Sequence, residues 1–376
     1  MKWEYKTLDQ LGTVSRGKSK HRPRNDPKLF GGKYPFIQTA DVKNADYYIT
    51  KYSDTYNESG VAQSKLWDKG TLCITIAANI ADTGVLAFPA CFPDSNMGFV
   101  PFEGVANTRF IKYCFDRLQR DCKQISQGTA QDNLSWEKLS TIKFCIPEYK
   151  EQCRIADILS AYDDLIENNQ KQIKLLEEAA QRLYKEWFVD LRFPGHENTK
   201  IVDSVPEGWR RGLLKELISV NYGKDHKKVP DDGNIPVYGS GGLMRKCNKS
   251  LFSGEAVLIP RKGSLNNIMY VDETFWTVDT MFYATMKQPH TAVFVYFFVK
   301  AFDMYSMNIG AAVPSMTTKI LDAMDVVIPD KETLEKFDKY AKVYFNKIKT
   351  LQGQNEQLKT ARDLLLPKLM SGEVEV

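Results

Sequence analysis

The sequence has few of the features that mark metal sites, secretion or a strongly charged ligand. Its seven cysteines are odd in number and form no Cys-x-x-Cys pair, and its four histidines are isolated, so we expect no metal site. No charged segment followed by an apolar stretch comes after Met1. The net charge of +4 permits nucleic acid as a partner without requiring it. These absences predict a cytoplasmic protein.

Long hydrophobic runs are also scarce. The most apolar window, Leu72 to Phe92, has the length of a membrane span but contains Asn79, Asp82 and Pro89. Such residues are costly inside a bilayer, so we expect buried strands separated by a turn and no membrane association. A chain of 376 residues is long enough for several compact units.

The chain contains an internal repeat. The segment "GTAQDNLSWEKLSTIKFCIP" from Gly128 aligns without a gap on "GAAVPSMTTKILDAMDVVIP" from Gly310, and "WEYKTLDQLGTVSRGK" from Trp3 resembles "WRRGLLKELISVNYGK" from Trp209. Between these matched ends, "GTLCITI" and "GEAVLIP" are predicted to be corresponding buried strands, whereas the remaining sequence diverges. The pattern predicts two copies of one scaffold that carry different specificities.

Each copy ends in a heptad pattern. Apolar residues at alternating steps of four and three predict two long helices that pack on each other as a coiled coil. The predicted seam comprises Ile155, Leu159, Tyr162, Ile166, Asn169, Ile173, Leu176 and Leu183, and then Phe337, Tyr344, Ile348, Leu351, Asn355, Leu358 and Leu365. Asn169 and Asn355 mark either an exposed, frayed stretch or a polar contact that sets the register. Both alternatives remain open at this stage.

A phosphate-loop pattern occurs near the N terminus. Gly12, Gly17, Lys18 and Ser19 satisfy the spacing G-x-x-x-x-G-K-[ST], which in nucleotide hydrolases lies between a buried strand and a helix. The preceding residues are polar with helical spacing, and the following ones contain two prolines. The second copy keeps only the Gly-Lys pair. We therefore treat nucleotide hydrolysis as a minor alternative.

Basic residues cluster after the Gly-Lys pair in both copies. As phosphate contacts we predict Arg16, Lys18, Lys20, Arg22, Arg24, Lys224, Lys227 and Lys228, because lysine and arginine neutralise nucleic-acid backbones. Base reading is expected from polar residues on short loops, for which the candidates are Gln38, Asn79, Arg109, Gln127, Gln131, Tyr238, Ser240, Arg245, Arg261, Lys262, Asn266 and Asn267. The alternative for each is a solvated loop or a turn residue bonded to its own backbone.

Several segments resemble the specificity subunit of type I restriction-modification enzymes. They are "ARDLLLPKLMSGEVEV", "RLYKEWFVDLRFPGHENTKIVDS", "VPEGW", "IPVYGSGG" and "GTAQDNLS", and the resemblance extends over essentially the whole chain. It implies a mixed α+β fold in which two target-recognition domains are separated by two long antiparallel helices, which form an intramolecular coiled coil with pseudo-two-fold symmetry. The double-stranded DNA target would be bipartite and asymmetric, with one domain reading each half.

The same resemblance implies the partners. Two methyltransferase subunits would dock on the helices, and restriction subunits with motor and nuclease activity would join the complex. This chain would have no catalytic centre and no cofactor of its own, because S-adenosylmethionine, ATP and magnesium would be held by those partner subunits. The competing hypothesis is an interaction scaffold whose two modules on a coiled coil bind a protein or a carbohydrate.

The predicted layout follows the order of the repeats. It consists of target-recognition domain 1 (1–149), spacer helix 1 (150–190), a linker (191–208), target-recognition domain 2 (209–331), and spacer helix 2 with a C-terminal tail (332–376). The first helix should end near Val189, because "RFPG" follows it. A helix of about 38 residues is roughly 57 Å long, whereas DNA repeats every 34–36 Å or so. The helices are therefore predicted to act as a spacer.

Overall fold

The computed structural model describes residues 3–76, 82–125, 136–307 and 315–376. The chain divides into two compact units. Unit 1 comprises Met1–Asn169 and Gly353–Val376, and unit 2 comprises Gln170–Gln352. Unit 1 thus takes in residues from both ends of the chain, whereas the predicted domain limits follow sequence order.

Unit 1 is built on two small sheets. Its strands are β1 (Glu4–Lys6), β2 (Gly12–Arg16), β3 (Phe30–Phe36), β4 (Tyr48–Ile49), β5 (Asp54–Tyr56), β6 (Leu66–Trp67), β7 (Leu72–Thr75), β8 (Thr83–Leu86), β9 (Ala90–Cys91), β10 (Asn96–Pro101) and β11 (Phe144–Ile146). One sheet has the order β2-β10-β7-β8-β4 and the other β5-β3-β9-β6, while β1 pairs with β11. The buried strands β7 and β8 confirm how the apolar window was interpreted, although Asn79 lies outside the described residues.

Helices pack against these sheets. They are α1 (Leu8–Leu11), α2 (Thr39–Lys43), α3 (Glu58–Ala62), α4 (Thr108–Ile125), α5 (Trp136–Thr141) and the first long helix, α6 (Tyr149–Tyr184), which begins in this unit. Helix α4 packs on β8 and β10. Its buried residues Phe110 and Phe115 share one hydrophobic cluster with Leu72 and Phe99 of the sheet and with Leu159 of α6. Burial of these large side chains is the main stabilising term.

Unit 2 contains one six-stranded sheet. Its strands are β12 (Ile201–Val202), β13 (Val205–Pro206), β14 (Arg210–Leu213), β15 (Ile218–Tyr222), β16 (Ile235–Gly239), β17 (Gly242–Cys247), β18 (Phe252–Pro260), β19 (Met269–Thr277), β20 (Met281–Met286) and β21 (Asp325–Ile328). Its helices are α7 (Ala292–Lys300), α8 (Thr318–Asp322) and the start of the second long helix, α9 (Lys331–Met370). The sheet order is β15-β20-β18-β19-β16-β17. The apolar helix α7 packs on β18 and β19.

The two units repeat one topology. The order β2-β10-β7-β8 in unit 1 matches β15-β20-β18-β19 in unit 2, and the pair β1–β11 matches β14–β21. In both units a further strand runs parallel to the last strand of this order, because β4 pairs with β8 and β16 pairs with β19. The repeated order confirms the mixed α/β class with two sheet-rich parts, and it supports the repeat that the sequence predicts.

The long helices run antiparallel within each unit. In unit 1, the Asn169 amide donates to Asn355 Oδ1 at 2.9 Å, and Arg362 pairs with Asp163. In unit 2, the rings of Tyr184 and Trp187 lie beside Phe337. Helix α6 continues as a π-helical turn to Val189, close to the expected end.

The predicted seam residues lie inward along both helices. None of them is exposed, and Ile155, Leu159 and Phe337 are fully buried. The two asparagines are buried and bonded to each other, so their geometry is that of a polar contact and not of a frayed stretch. No helix in the described part of the chain is both long and apolar enough to cross a membrane.

Candidate nucleic-acid interface

A glycine-lysine pair begins the loop after the edge strand in each unit. Gly17 N–H donates to the Asn96 carbonyl at 2.9 Å, and Gly223 N–H donates to the Met281 carbonyl at 3.0 Å. A Cβ atom at Gly17 would lie 2.2 Å from the Phe92 carbonyl oxygen. At Gly223 it would lie 2.0 Å from a backbone carbonyl oxygen. Both positions therefore require glycine, and the lysine that follows each one is exposed.

The phosphate-loop pattern does not form the structure that nucleotide binding needs. Residues Gly12–Arg16 are themselves strand β2, and a short 3-10 turn at Pro27–Leu29 is the next helical element. A short strand, β1, does precede the pattern, but it is separated from it by α1. Without a helix N terminus directly after the loop, the usual phosphate site is missing.

The basic loop of unit 1 is held by its neighbours. The Gln63 side-chain oxygen accepts hydrogen bonds from the backbone N–H groups of Lys20 (2.6 Å) and His21 (3.0 Å). Ser64 Oγ donates to the Lys18 carbonyl at 2.7 Å. These bonds involve the backbone of the loop, so the lysine side chains are left to project from a fixed main chain.

The predicted phosphate-binding residues of unit 1 fall into two groups. The Arg22 guanidinium donates to the carbonyls of Ser19 (2.5 Å) and His21 (2.8 Å), and Arg24 pairs with Asp94 at 2.7 Å. The exposed side chains of the other three cations form no ion pair or hydrogen bond within the described residues; these are Arg16, Lys18 and Lys20. Only this second group is fully available to an anionic ligand.

Lys65 is a cation that the sequence reasoning missed. Its ammonium group lies 3.5 Å from the centre of the Trp67 ring and 3.3 Å from Ser15 Oγ. Burial lowers the pKa of Lys65, and the nearby charge of Lys18 lowers it further. No sequence pattern marks this residue, because β6 and β2 come together only in the folded unit.

An aromatic cleft lies beside the basic loop of unit 1. It has a volume of about 480 Å³ and is lined by Phe30, Phe36, Gln38 and Asp54, among others. The Gln38 amide donates to Asp54 Oδ2 at 2.5 Å. The Ser19 hydroxyl, which also borders the cleft, is buried without a hydrogen-bond partner in the described structure. Phe36 is buried against Tyr56, whereas the partly exposed ring of Phe30 beside amide and carboxylate groups can stack on a base whose edge these groups bond.

The other base-reading candidates of unit 1 are placed differently. Arg109 lies on α4, where its guanidinium donates to Ser160 Oγ at 2.6 Å and approaches Asp164 at 3.5 Å. It therefore ties α4 to α6 and is not on a loop. Asn79, Gln127 and Gln131 lie outside the described residues.

Three candidates in unit 2 join loops together. The Arg245 guanidinium donates to the carbonyls of His226 (2.5 Å) and Val229 (2.9 Å). The Asn267 amide donates to the Ser240 carbonyl at 2.9 Å, and the Asn266 amide donates to Asp303 at 2.9 Å. These bonds fix the loops in place, but they join separate loops and are not the bonds to a residue's own backbone that the sequence offered as the alternative. Their role in reading bases stays a prediction.

Arg261 and Tyr238 are also engaged within unit 2. The Arg261 guanidinium lies 5.0 Å from the Tyr222 ring centre and donates to the Asp279 carbonyl at 2.8 Å. Tyr238 OH donates to Glu273 at 2.5 Å. Burial, with a contribution from Glu273, raises the pKa of Tyr238, so the phenol remains a donor.

Four exposed lysines surround these anchored loops of unit 2. Their ammonium groups form no ion pair or hydrogen bond within the part of the chain that the structure describes; they are Lys224, Lys227, Lys228 and Lys262. Together with Arg16, Lys18 and Lys20 of unit 1, they give each unit a set of unpaired cations next to its basic loop. This arrangement can bind phosphates without any catalytic group.

Comparisons with known proteins agree on one family. A model described as the type I restriction modification DNA specificity domain matches residues 1–178 and 206–360. The type I restriction enzyme MjaIX specificity subunit of Methanocaldococcus jannaschii is 26% identical over 100% of this chain and 94% of its own length. The HindI specificity subunit of Haemophilus influenzae is 22% identical over 97% and 98%, respectively.

The fold is also similar to that of a solved structure. It is the S subunit of a type I restriction-modification system from M. genitalium. The TM-score is 0.60 at 19% identity, with 98% of this chain and 96% of that chain covered. This likeness extends the sequence match to the arrangement of strands and helices.

Proposed function

Because the chain belongs to the type I restriction-modification DNA specificity family, we propose that it is the DNA-recognition subunit of such a system. It reads a bipartite, asymmetric duplex target, and each unit reads one half. The observation that carries this proposal is the repeated site: both units place a packed glycine and an exposed lysine at the same topological position. Beside that shared position the units differ, as two readers of different sequences must.

The unpaired cations supply affinity in this proposal. Arg16, Lys18 and Lys20 contact phosphates in one half, and Lys224, Lys227 and Lys228 do so in the other. Such contacts release counterions from DNA, so binding weakens steeply as salt is added. Base choice comes from the neighbouring elements, which are the Gln38 cleft in unit 1 and the β16–β17 hairpin in unit 2.

The long helices carry the partner subunits in this proposal. Both present apolar side chains to solvent, including Leu165 and Leu175 on α6 and Tyr340, Val343 and Leu364 on α9. Contiguous exposed apolar residues mark partner surfaces, and Tyr340 and Val343 lie one turn apart on α9. Two methyltransferase subunits dock there, and the restriction subunits join them in the cytoplasm. Those partners hold S-adenosylmethionine, ATP and magnesium, and this chain has no catalytic centre of its own.

Methylation mapping tests the proposal directly. The host genome is sequenced for methylated adenines with the chain present, with it deleted, and with it restored. We expect one bipartite motif that disappears on deletion and returns on restoration. An unchanged methylome, together with equal retention of all duplexes of a random-sequence library by the purified complex, would contradict DNA recognition and favour an interaction scaffold.

A further inference from the structure

The β16–β17 hairpin presents two apolar side chains at its tip. Leu243 is 59% exposed and Met244 is 55% exposed. In this hairpin Tyr238 lies opposite Leu243, and Gly239 lies opposite Gly242. Gly242 has a φ of +110°, a conformation that glycine adopts without strain. The turn is therefore built to place Leu243 directly after it.

The hairpin is fixed at both its stem and its tip. Arg245 bonds the stem to the 226–229 loop, and Asn267 bonds the Ser240 carbonyl at the tip to the 261–268 loop. A flexible apolar loop would lose conformational entropy when it binds a ligand. An anchored tip loses less conformational entropy. The exposed leucine and methionine at this tip therefore indicate a preformed contact surface.

Cations lie on the two loops to which the hairpin is bonded. The anchored 226–229 loop carries Lys227 and Lys228, and the 261–268 loop carries Lys262. Three acidic residues adjoin the first loop: Asp225 accepts from the Lys227 N–H, Asp232 accepts from the Asn248 amide, and Asp231 is exposed. A partner that fits this surface offers an apolar group close to negative charge. The major groove of DNA does so wherever it exposes a thymine methyl group between phosphates, and it admits a two-stranded β-ribbon.

We propose that the β16–β17 hairpin enters the major groove and that Leu243 contacts the C5-methyl group of a thymine. This inference rests on the proposed function and identifies one determinant of its specificity. The flanking lysines hold the two phosphate backbones, while Met244, on the other face of the strand, packs over Gly239. The half-site that unit 2 reads therefore contains at least one A·T pair.

Replacing thymine by deoxyuridine tests the contact, because it removes only the methyl group. Each thymine of the mapped target is replaced in turn, and binding of the full chain in its complex is measured. We expect one position, in one half-site, to weaken binding about fourfold, the value of one buried methyl-sized group. L243A should bind the unmodified duplex more weakly by a similar factor and should be indifferent to that replacement.

Two control variants separate this contact from general damage. V202A shortens a side chain of similar exposure on another hairpin of unit 2 and should retain the wild-type response to deoxyuridine. L243M keeps an apolar side chain and should restore part of the response. The proposal is overturned if no replacement by deoxyuridine weakens binding, or if L243A loses as much affinity on that replacement as the wild type does. It is also overturned if the half-site whose binding L243A weakens contains no thymine. Failure to find any specific duplex would instead reject the proposed function.

Discussion

Neighbouring cations in the basic loop of unit 1 differ in their hydrogen bonding and therefore in the roles we expect of them. Arg22 is bonded to two carbonyls of its own loop, whereas the ammonium of Lys18 is exposed and unpaired within the described residues. A bonded guanidinium stabilises the loop in the absence of DNA. An unpaired ammonium is the group whose contact with a phosphate adds affinity without sequence preference.

Replacing Lys18 by alanine should therefore weaken binding by a similar factor on every duplex. We expect the slope of log affinity against log salt to fall by about one, because one phosphate contact is lost. The measurement is a salt titration on the target and on a random duplex. R22A is the matched control, because it removes a cation that is bonded within the loop. R22A should lower the thermal unfolding midpoint, whereas K18A should leave that midpoint unchanged. A change of preferred sequence in K18A would contradict a phosphate role.

Asp330 is a charged cap whose effect depends on pH. Its carboxylate accepts from Thr333 N–H (2.9 Å), Thr333 Oγ (2.8 Å) and Trp209 Nε1 (3.0 Å) at the start of α9. Burial alone would raise the pKa of Asp330, but these hydrogen bonds outweigh burial and lower it. The carboxylate is therefore stabilising above the unfolded-state pKa near 4 or so, and this contribution is lost as pH falls through the lower folded value.

We expect D330A to lower the free energy of unfolding by about 1 kcal/mol at pH 7, the typical value of a helix cap. The difference from wild type should shrink below about pH 4. Urea unfolding at pH 7 and pH 3 measures both values. D330N, which keeps an oxygen acceptor but no charge, should fall between the two proteins at pH 7. An equal difference at both pH values would show that the charge contributes nothing.

At the scale of elements, the periodicity of apolar residues predicted the two long helices. The heptads of α6 and α9 could be read because Ile155, Leu159 and Phe337 recur at the spacing of a helix face. The partners of single polar side chains could not be predicted, because they depend on contacts far apart in sequence. Arg245 and Asn266 look equally suitable for bases in the sequence, yet both bond to neighbouring loops. The cleft at Gln38 forms only when β3, β5 and the basic loop meet.

The buried asparagine pair offers a test of the long helices within unit 1. N169L alone leaves the Asn355 amide buried without its partner, which should cost about 1–3 kcal/mol in the free energy of unfolding. The double variant N169L/N355L removes both polar groups and should recover or exceed the wild-type value. Denaturant unfolding of both variants measures this. N168L, at the exposed neighbouring position, is the control and should change little. Additive losses in the double variant would argue against a coupled pair.

At the scale of the whole molecule, the repeat places different structures beside the basic loop of each unit. Unit 1 has α2 and an aromatic cleft after its basic loop, whereas unit 2 has the β16–β17 hairpin. Each set of contacts lies within its own unit. A substitution in one unit should therefore not alter the half-site sequence that the other unit reads. Combining K18A with L243A should therefore give additive losses of binding free energy, as is usual for distant sites.

The length of the helices should set the gap between the two half-sites, as the heptad pattern predicts. Removing one heptad from each helix, residues 170–176 and 348–354, keeps both seams in phase and shortens each helix by roughly 10 Å. One base-pair step occupies about 3.4 Å, so we expect the gap in the methylated motif to shorten by about three base pairs. Both half-sites should keep their sequences. A variant in which the same residues are exchanged for another heptad of equal length should keep the gap, and an unchanged gap in the deletion variant would reject the spacer role.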